Sequence, residues 1–286
     1  MQSGVVGLLP NDLRKITLDD IRELRALGFT GTTVPLGEPD QYRPEEFQRI
    51  RDMLHGEGVA VAQANGLYPS LVDHDEKVRA AGVEGLKRHM QATRLLEAHT
   101  LYVRPGSLNP AGSWAPHPEH QGDRVFERVI SSLTAVAVAA DAEGVILALE
   151  GHVLSVIDRP SRVAEVLRRV PARSLGVNLD PVNFVGSIWD AWTPQALINR
   201  LLDATRGRVV AAHWKDYIVD NPLVLHISEV PIGEGLVDHV AGLTALNEAA
   251  PDTWVLIEHL PPEQIPAAKR NIDAAMSEAS LTWDER

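Results

Sequence analysis

Apolar runs of four to eight residues alternate with amphipathic segments along the whole chain. The runs read as strands: 4–9 (GVVGLL), 31–36 (GTTVPL), 60–67 (AVAQANGL), 100–105 (TLYVRP), 145–151 (VILALEG), 175–180 (LGVNLD), 208–216 (RVVAAHWKD) and 254–260 (WVLIEHL). They are nearly continuous in apolar residues rather than alternating, as expected for strands covered on both faces. Helical spacing fills the gaps. TLDDIRELRALG has Thr17 as N-cap and Gly28 as its stop, and RPEEFQRIRDMLHGEG repeats the scheme with Gly56 at its end. Long helices are predicted over 75–97 and 122–143, and shorter ones near 160–170, 194–204, 237–249 and 262–277.

Eight strand–helix units predict a parallel sheet, because parallel neighbours need a crossover and a helix is the usual one. In 286 residues this count points to a single α/β domain over 1–286, a (β/α)8 TIM barrel. A doubly wound open sheet is the alternative, weakened by the lack of a GxGxxG or GxxxxGK loop after the early strands. Two connections, 106–123 and 217–239, are long for loops without evident structure and are expected to cover a site on the barrel's C-terminal face.

Composition narrows the partners. With 44% hydrophobic and 23% charged residues the chain is of soluble globular type. No run approaches a membrane span, and the N-terminus lacks the marks of a signal peptide. The absence of cysteine rules out thiolate metal sites and cysteine nucleophiles, and is compatible with a cytoplasmic location. A net charge of −12 argues against nucleic acid or an anionic membrane as partner. A homo-oligomer is compatible with the sequence.

Four strands end in a group able to bind a metal: Glu150, Asp180, His213 and Glu258. On the barrel reading they come from neighbouring strands five to eight and share one mouth. Three carboxylates and an imidazole in a small volume raise one another's pKa unless a cation joins them. The oxygen-rich, sulfur-free set predicts one divalent ion, with Mn²⁺ as the first expectation and Mg²⁺, Co²⁺ or Zn²⁺ also compatible. Arg104, at the tip of the fourth strand, is placed to clamp a carboxylate, phosphate or carbonyl oxygen, or else to pair with a mouth carboxylate.

The motifs LALEGH, GVNLDPVN, AAHWKD, IGEGLVD and VLIEH, with nearly the whole chain around them, resemble the xylose-isomerase-like TIM barrels, also called sugar phosphate isomerases/epimerases. The resemblance implies that Glu150, Asp180, His213 and Glu258 hold one metal and that Glu150 and Glu258 double as an acid/base pair. It implies proton abstraction next to the carbonyl of a small carbohydrate or polyol, through an enediolate. Lys215 belongs to a recurring motif of the family and is expected to neutralise an oxyanion or pair with Asp180. His152, if the strand continues, is an extra base or substrate ligand, or a surface histidine. Trp114 and His117 are candidates to cover the substrate.

Departures from the family pattern are equally legible. Asn183 stands where ketose 3-epimerases of this kind carry His, and Val219 where they carry Arg. Asn65 and Arg104 stand where the DNA-repair endonuclease of the family wants His. Asn65 and Asn183 therefore join the expected substrate-binding set. A lyase on the same scaffold (an inosose-type dehydratase, or an enzyme cleaving 3-oxo-glycosides, including the C-glycoside deglycosidase type) is the alternative activity. A non-catalytic sugar-binding barrel is a third reading, disfavoured by the complete ligand set.

Overall fold

The computed structural model describes residues 1–221 and 224–284. Eight parallel strands close into a barrel in the order β1, β2, β3, β4, β5, β6, β7, β10, with β10 returning to β1. The strands are β1 (Gln2–Val5), β2 (Gly31–Gly37), β3 (Ala60–Gly66), β4 (Thr100–Val103), β5 (Leu147–Leu149), β6 (Leu175–Leu179), β7 (Val209–Trp214) and β10 (Trp254–Ile257). Pairing of Gln2 with Trp254 and of Val5 with Ile257 seals the ring and excludes the open-sheet alternative.

Helices α1 (Leu18–Ala26), α2 (Pro44–Gly56), α3 (Glu76–Leu95) and α4 (Asp123–Glu143) cover the first half, and α5 (Pro160–Arg169), α7 (Pro194–Thr205), α8 (His239–Ala249) and α9 (Ile265–Glu278) the second. Their starts follow local chemistry. Thr17 and Asp20 form a reciprocal capping box on α1, and Asp75 accepts from the Lys77 N–H at the head of α3. Gly28, just beyond α1, takes φ +87°, a conformation that costs glycine little. The inward stripes of these helices, such as Ile21 and Leu24 of α1 and Val129, Leu133 and Val136 of α4, join the strands in the main apolar core.

Two features depart from the pattern of the sequence. The first strand is Gln2–Val5 rather than 4–9. Gly7, at φ +86°, turns the chain away, while the polar Gln2 and Ser3 are buried by pairing with β10. The segment after β7 is not an irregular loop. It carries an antiparallel hairpin, β8 (Asp216–Asp220) and β9 (His226–Val230), with Asp216 opposite Val230. The expected seventh strand, 208–216, therefore ends at Trp214 and a new element begins two residues later. Residues 222 and 223 of the expected 217–239 loop lie outside the described residues. A short helix, α6 (Ile188–Trp192), is likewise additional. Because the barrel strands are parallel, the 106–123 connection and the hairpin both leave from the C-terminal ends of their strands. Among the described residues, no helix is long and apolar enough to cross a membrane.

Candidate metal centre

Glu150, Asp180 and Glu258 each follow immediately after a barrel strand, and His213 is the penultimate residue of β7. All four are buried or nearly so at the mouth. Ligating atoms of Glu150, Asp180 and His213 lie within 4.8 Å of one another, a group that could hold a metal ion. Glu258 joins through the imidazole: His213 Nδ1 is 2.9 Å from Glu150 Oε2 and 2.9 Å from Glu258 Oε2.

The orientation of His213 follows from a relay beneath it. Glu150, as a carboxylate, only accepts, so Asn178 turns its NH2 toward Oε2 at 2.5 Å. The Asn178 carbonyl then accepts from Gln63 Nε2 at 3.1 Å, which leaves Gln63 Oε1 facing His213 Nε2 at 3.1 Å. That acceptor requires a proton on Nε2 and puts the lone pair of the neutral ring on Nδ1, between two carboxylate oxygens. Such a lone pair needs a cation. Without one it takes a proton: burial opposes the imidazolium, but Glu258 and Glu150 outweigh it and raise the group to about 10.

Three buried atoms here, Asp180 Oδ2, His213 Nδ1 and Glu258 Oε2, lack a well-aligned hydrogen bond and are met by ionic contacts instead, Asp180 by Lys215 at 2.8 Å and Glu258 by His213 at 2.9 Å. Buried polar atoms are normally well hydrogen-bonded, and three that are not, at one mouth, stand where the group able to hold a metal ion lies. The donor set fits a divalent ion of the Mg²⁺, Mn²⁺ or Zn²⁺ kind. Burial drives the Asp180 carboxyl up to about 6, with Glu150 and Glu258 adding to the effect and Lys215 opposing it. For Glu258, burial pushes upward, but the neighbouring His213 and Lys215 hold the carboxyl below its usual range.

Lys215 realises the pairing alternative. Its Nζ lies 2.8 Å from Asp180 Oδ2, 3.3 Å from Glu258 Oε2 and 3.4 Å from Glu229 Oε1 on the hairpin. Burial works against its charge, but the surrounding carboxylates more than offset this and raise its pKa. Asn183 bridges the two sides, donating to Glu150 Oε1 at 2.8 Å and accepting from Lys215 at 3.1 Å. The two glutamates are not equivalent. Glu150 receives donors from Tyr102, Asn178 and Asn183, whereas Glu258 lines a cavity of about 180 Å³ with Lys215, Glu229, His259 and Gln264.

The remaining expected residues scatter around the mouth. His152 lies past Glu150 with its ring tilted on Trp114 at 5.7 Å, and burial keeps it neutral by lowering its pKa. Arg104 is buried, but it pairs with no carboxylate. It donates to Ser113 Oγ at 3.0 Å and to the Gly66 carbonyl at 3.1 Å. Asn65 is half-buried near the end of β3, two residues beyond Gln63. His117 caps a short turn of its own loop, its ring tilted against His120 with centroids 5.6 Å apart.

Sequence reasoning missed Tyr102, Gln63, Asn178, Glu229 and His259. The first three carried a signal: each lies two residues before a residue already singled out (Arg104, Asn65, Asp180), hence on the same strand face. Glu229 and His259, which meet at 3.0 Å, come together only through the hairpin. His259 holds φ +59° immediately after Glu258, a costly conformation for a non-glycine residue.

Residues 21–277 match the model of the xylose isomerase-like TIM barrel family. The chain belongs to this family. No curated protein sequence matches it significantly. Among solved structures it is similar to the apo form of 3-keto-D-glucoside 4-epimerase, YcjR, from E. coli, with TM-score 0.71 and 16% identity over 97% of this chain and 99% of the other. It is also similar to a xylose isomerase-like TIM barrel protein from Mycobacterium smegmatis in complex with magnesium, with TM-score 0.73 and 17% identity over 98% and 96%. A third likeness is D-psicose 3-epimerase with D-tagatose from Clostridium cellulolyticum H10, with TM-score 0.70 and 16% identity over 98% of both chains. At such identity the likeness establishes the shared fold.

Proposed function

We propose that this family member is a divalent-metal-dependent isomerase or epimerase of a small sugar or polyol, with Mn²⁺ as the first candidate ion. The observation that carries the reading is the convergence of ligand atoms of Glu150, Asp180 and His213 within 4.8 Å, with Glu258 Oε2 2.9 Å from His213 Nδ1. Glu150, Asp180, His213 and Glu258 would hold the ion. When bound, it supplies positive charge that polarises a carbonyl and offsets the charge of an enediolate.

The chain's own residues account for the proton movements. Glu258 faces the cavity and takes the proton from the carbon next to the carbonyl. Glu150, fixed by three donors and 2.9 Å from the same His213 Nδ1 as Glu258, serves as its acid/base counterpart. Lys215 and Asn183 bind substrate oxygens. Trp114 and His152 cover the pocket from the strand-four and strand-five loops, and Asn65 and His117 extend its rim.

A lyase is the second reading, favoured by His152. It is neutral, its Nδ1 accepts from the Leu154 N–H at 3.0 Å, and its Nε2 makes no hydrogen bond among the described residues. Such a group can hydrogen-bond a departing oxygen after the first proton is removed. The test is proton exchange in heavy water with metal-loaded protein and a panel of ketoses, inososes and 3-oxo-glycosides, followed by NMR. The proposal expects exchange of a substrate C–H without release of a fragment. Fragment release selects the lyase, and absence of both reactions across the panel contradicts an enzymatic role.

A further inference from the structure

Arg104 follows β4 at the edge of the mouth and is only 7% exposed, yet among the described residues its charge has no counter-ion. Its guanidinium sits over the Tyr68 ring at 4.8 Å, with Nε donating to Ser113 Oγ and Nη1 to the Gly66 carbonyl. Those two bonds leave three of the five N–H groups of an arginine without a partner among the described residues. The cationic side chains elsewhere at the mouth have carboxylates: Lys215 has Asp180, Glu258 and Glu229, and His259 has Glu229. Glu150, the nearby candidate partner for Arg104, is instead held by Tyr102, Asn178 and Asn183.

A buried guanidinium without an anion is expensive. The position is nevertheless tightly specified, because the backbone N–H of Arg104 donates to the Tyr68 hydroxyl at 2.6 Å and the hydroxyl donates back to the Arg104 carbonyl at 3.0 Å. The ring below and Ser113 beside it fix the plane of the fork. β4 pairs with β5, Val103 opposite Leu149, and the Glu150 N–H donates to the Val103 carbonyl at 2.9 Å, so Arg104 lies on the Glu150 side of the candidate metal centre.

We propose that Arg104 supplies the anion-recognition subsite, and that the substrate is a sugar or hydroxy acid carrying a carboxylate at the end remote from the reacting carbon. This rests on the isomerase reading above. A carboxylate fits better than a phosphate. One planar guanidinium edge matches two carboxylate oxygens, whereas a phosphate dianion would call for a second free cation or a helix N-terminus. Lys215 is already committed to carboxylates.

The test is calorimetric binding of D-glucuronate, D-glucose and D-glucose 6-phosphate to Mn²⁺-loaded protein. Wild type, Arg104→Met and Arg104→Lys are compared, with melting curves for each. The expected result is glucuronate binding at least tenfold tighter than either comparator, a preference erased in Arg104→Met and reduced in Arg104→Lys, which keeps the charge but loses the fork. Equal or weaker binding of glucuronate in wild type, no binding of any of the three, or a preference that survives in both variants overturns the proposal. Preference for the phosphate overturns the carboxylate assignment. If Arg104→Met does not fold, the Lys variant and the wild-type ranking decide. C–H exchange on a neutral ketose by a wild type with no preference for glucuronate would leave the isomerase reading standing and remove this one alone.

Discussion

Asp180 and Asp216 are equally deep, at 0% and 1% exposure, and both flank Lys215, one across the mouth and one along the chain. Their surroundings are opposite. Asp216 accepts from the backbone N–H groups of Tyr217, Gly233, Gly235 and Val237 and from His239 Nε2, all between 2.9 and 3.1 Å. The proton on His239 is fixed because Trp214 donates its indole N–H to Nδ1 at 3.0 Å. Gly235 approaches so closely that a Cβ there would meet Asp216 Oδ1 at 2.2 Å. Asp180 accepts one backbone N–H, from Asn183 at 3.2 Å, and its Oδ2 has only the ammonium of Lys215, at 2.8 Å.

The titration behaviour follows. Burial pushes both carboxyls upward. At Asp216 the His239 and backbone donors reverse the sign, so its pKa is lowered, while Asp180 rises to about 6. The pair separates two uses of a buried carboxylate. One closed by the protein's own donors holds a loop in place, here the segment that leads from the hairpin into α8. The other, with one backbone donor and an ion pair to Lys215, is left more open, free to share its carboxylate with a further cation.

The largest expected effect lies on the open side. Glu258→Gln should lower turnover by roughly 10²–10⁴-fold and also lower the melting midpoint, because His213 and Lys215 hold its carboxyl below the usual range. Glu150→Gln should be impaired as well, with part of the loss in metal occupancy, because its carboxylate is built into the wall. Turnover and metal content measured on the same samples separate the two effects. Near-normal turnover in both variants at full metal would move the base to His152.

On the closed side, Asp216→Asn should cost about 3 kcal/mol of stability, read from denaturant melts, since four backbone N–H groups lose their acceptor charge. The pH dependence has a definite sign. A carboxyl with a lowered folded pKa stabilises fully above the unfolded value of about 3.9, and that stability is lost as pH falls through the folded value. The variant should therefore show a shallower acid limb than wild type. Asp180→Asn in chelator-treated protein should cost clearly less at neutral pH than Asp216→Asn, because the raised folded pKa of Asp180 offsets the loss of its ion pair with Lys215. A loss there as large as that of Asp216→Asn would erase the contrast.

Smaller again is Gln63→Leu, which removes the acceptor that keeps the His213 proton on Nε2. Metal affinity should fall by about 10–100-fold, measured by chelator competition. The imidazole nitrogen shifts of His213 in the Zn²⁺-loaded protein should also change, a signature that mere loosening of the barrel would not give. Least of all, His117→Ala should change stability by no more than about 0.5 kcal/mol, because the side chain only caps a turn of its own loop.

How much of this was legible in the sequence depends on the residue. The barrel was readable because each strand is an apolar run flanked by helical spacing, and Glu150, Asp180, His213 and Glu258 were readable because a charge at the end of such a run demands a reason. The relay of Gln63, Asn178 and Tyr102 was within reach of period-two alternation but hidden inside runs that read as apolar. The hairpin was not legible. Its strands are short and half-exposed, and only the fold brings Glu229 beside Lys215 and His259. Asp216 was noted only as part of the HWKD motif, since its donors lie about twenty residues downstream.

The central claim is that the open side of the mouth is a metal site, and a calorimetric titration tests it most directly. Chelator-treated protein would be titrated with Mn²⁺, beside His213→Ala, with the melting midpoint followed in parallel. The account predicts one ion per chain, a midpoint that rises with free metal as mass action requires, and weakened binding in a variant that still folds. No binding to wild type, or equal binding to His213→Ala, would contradict it.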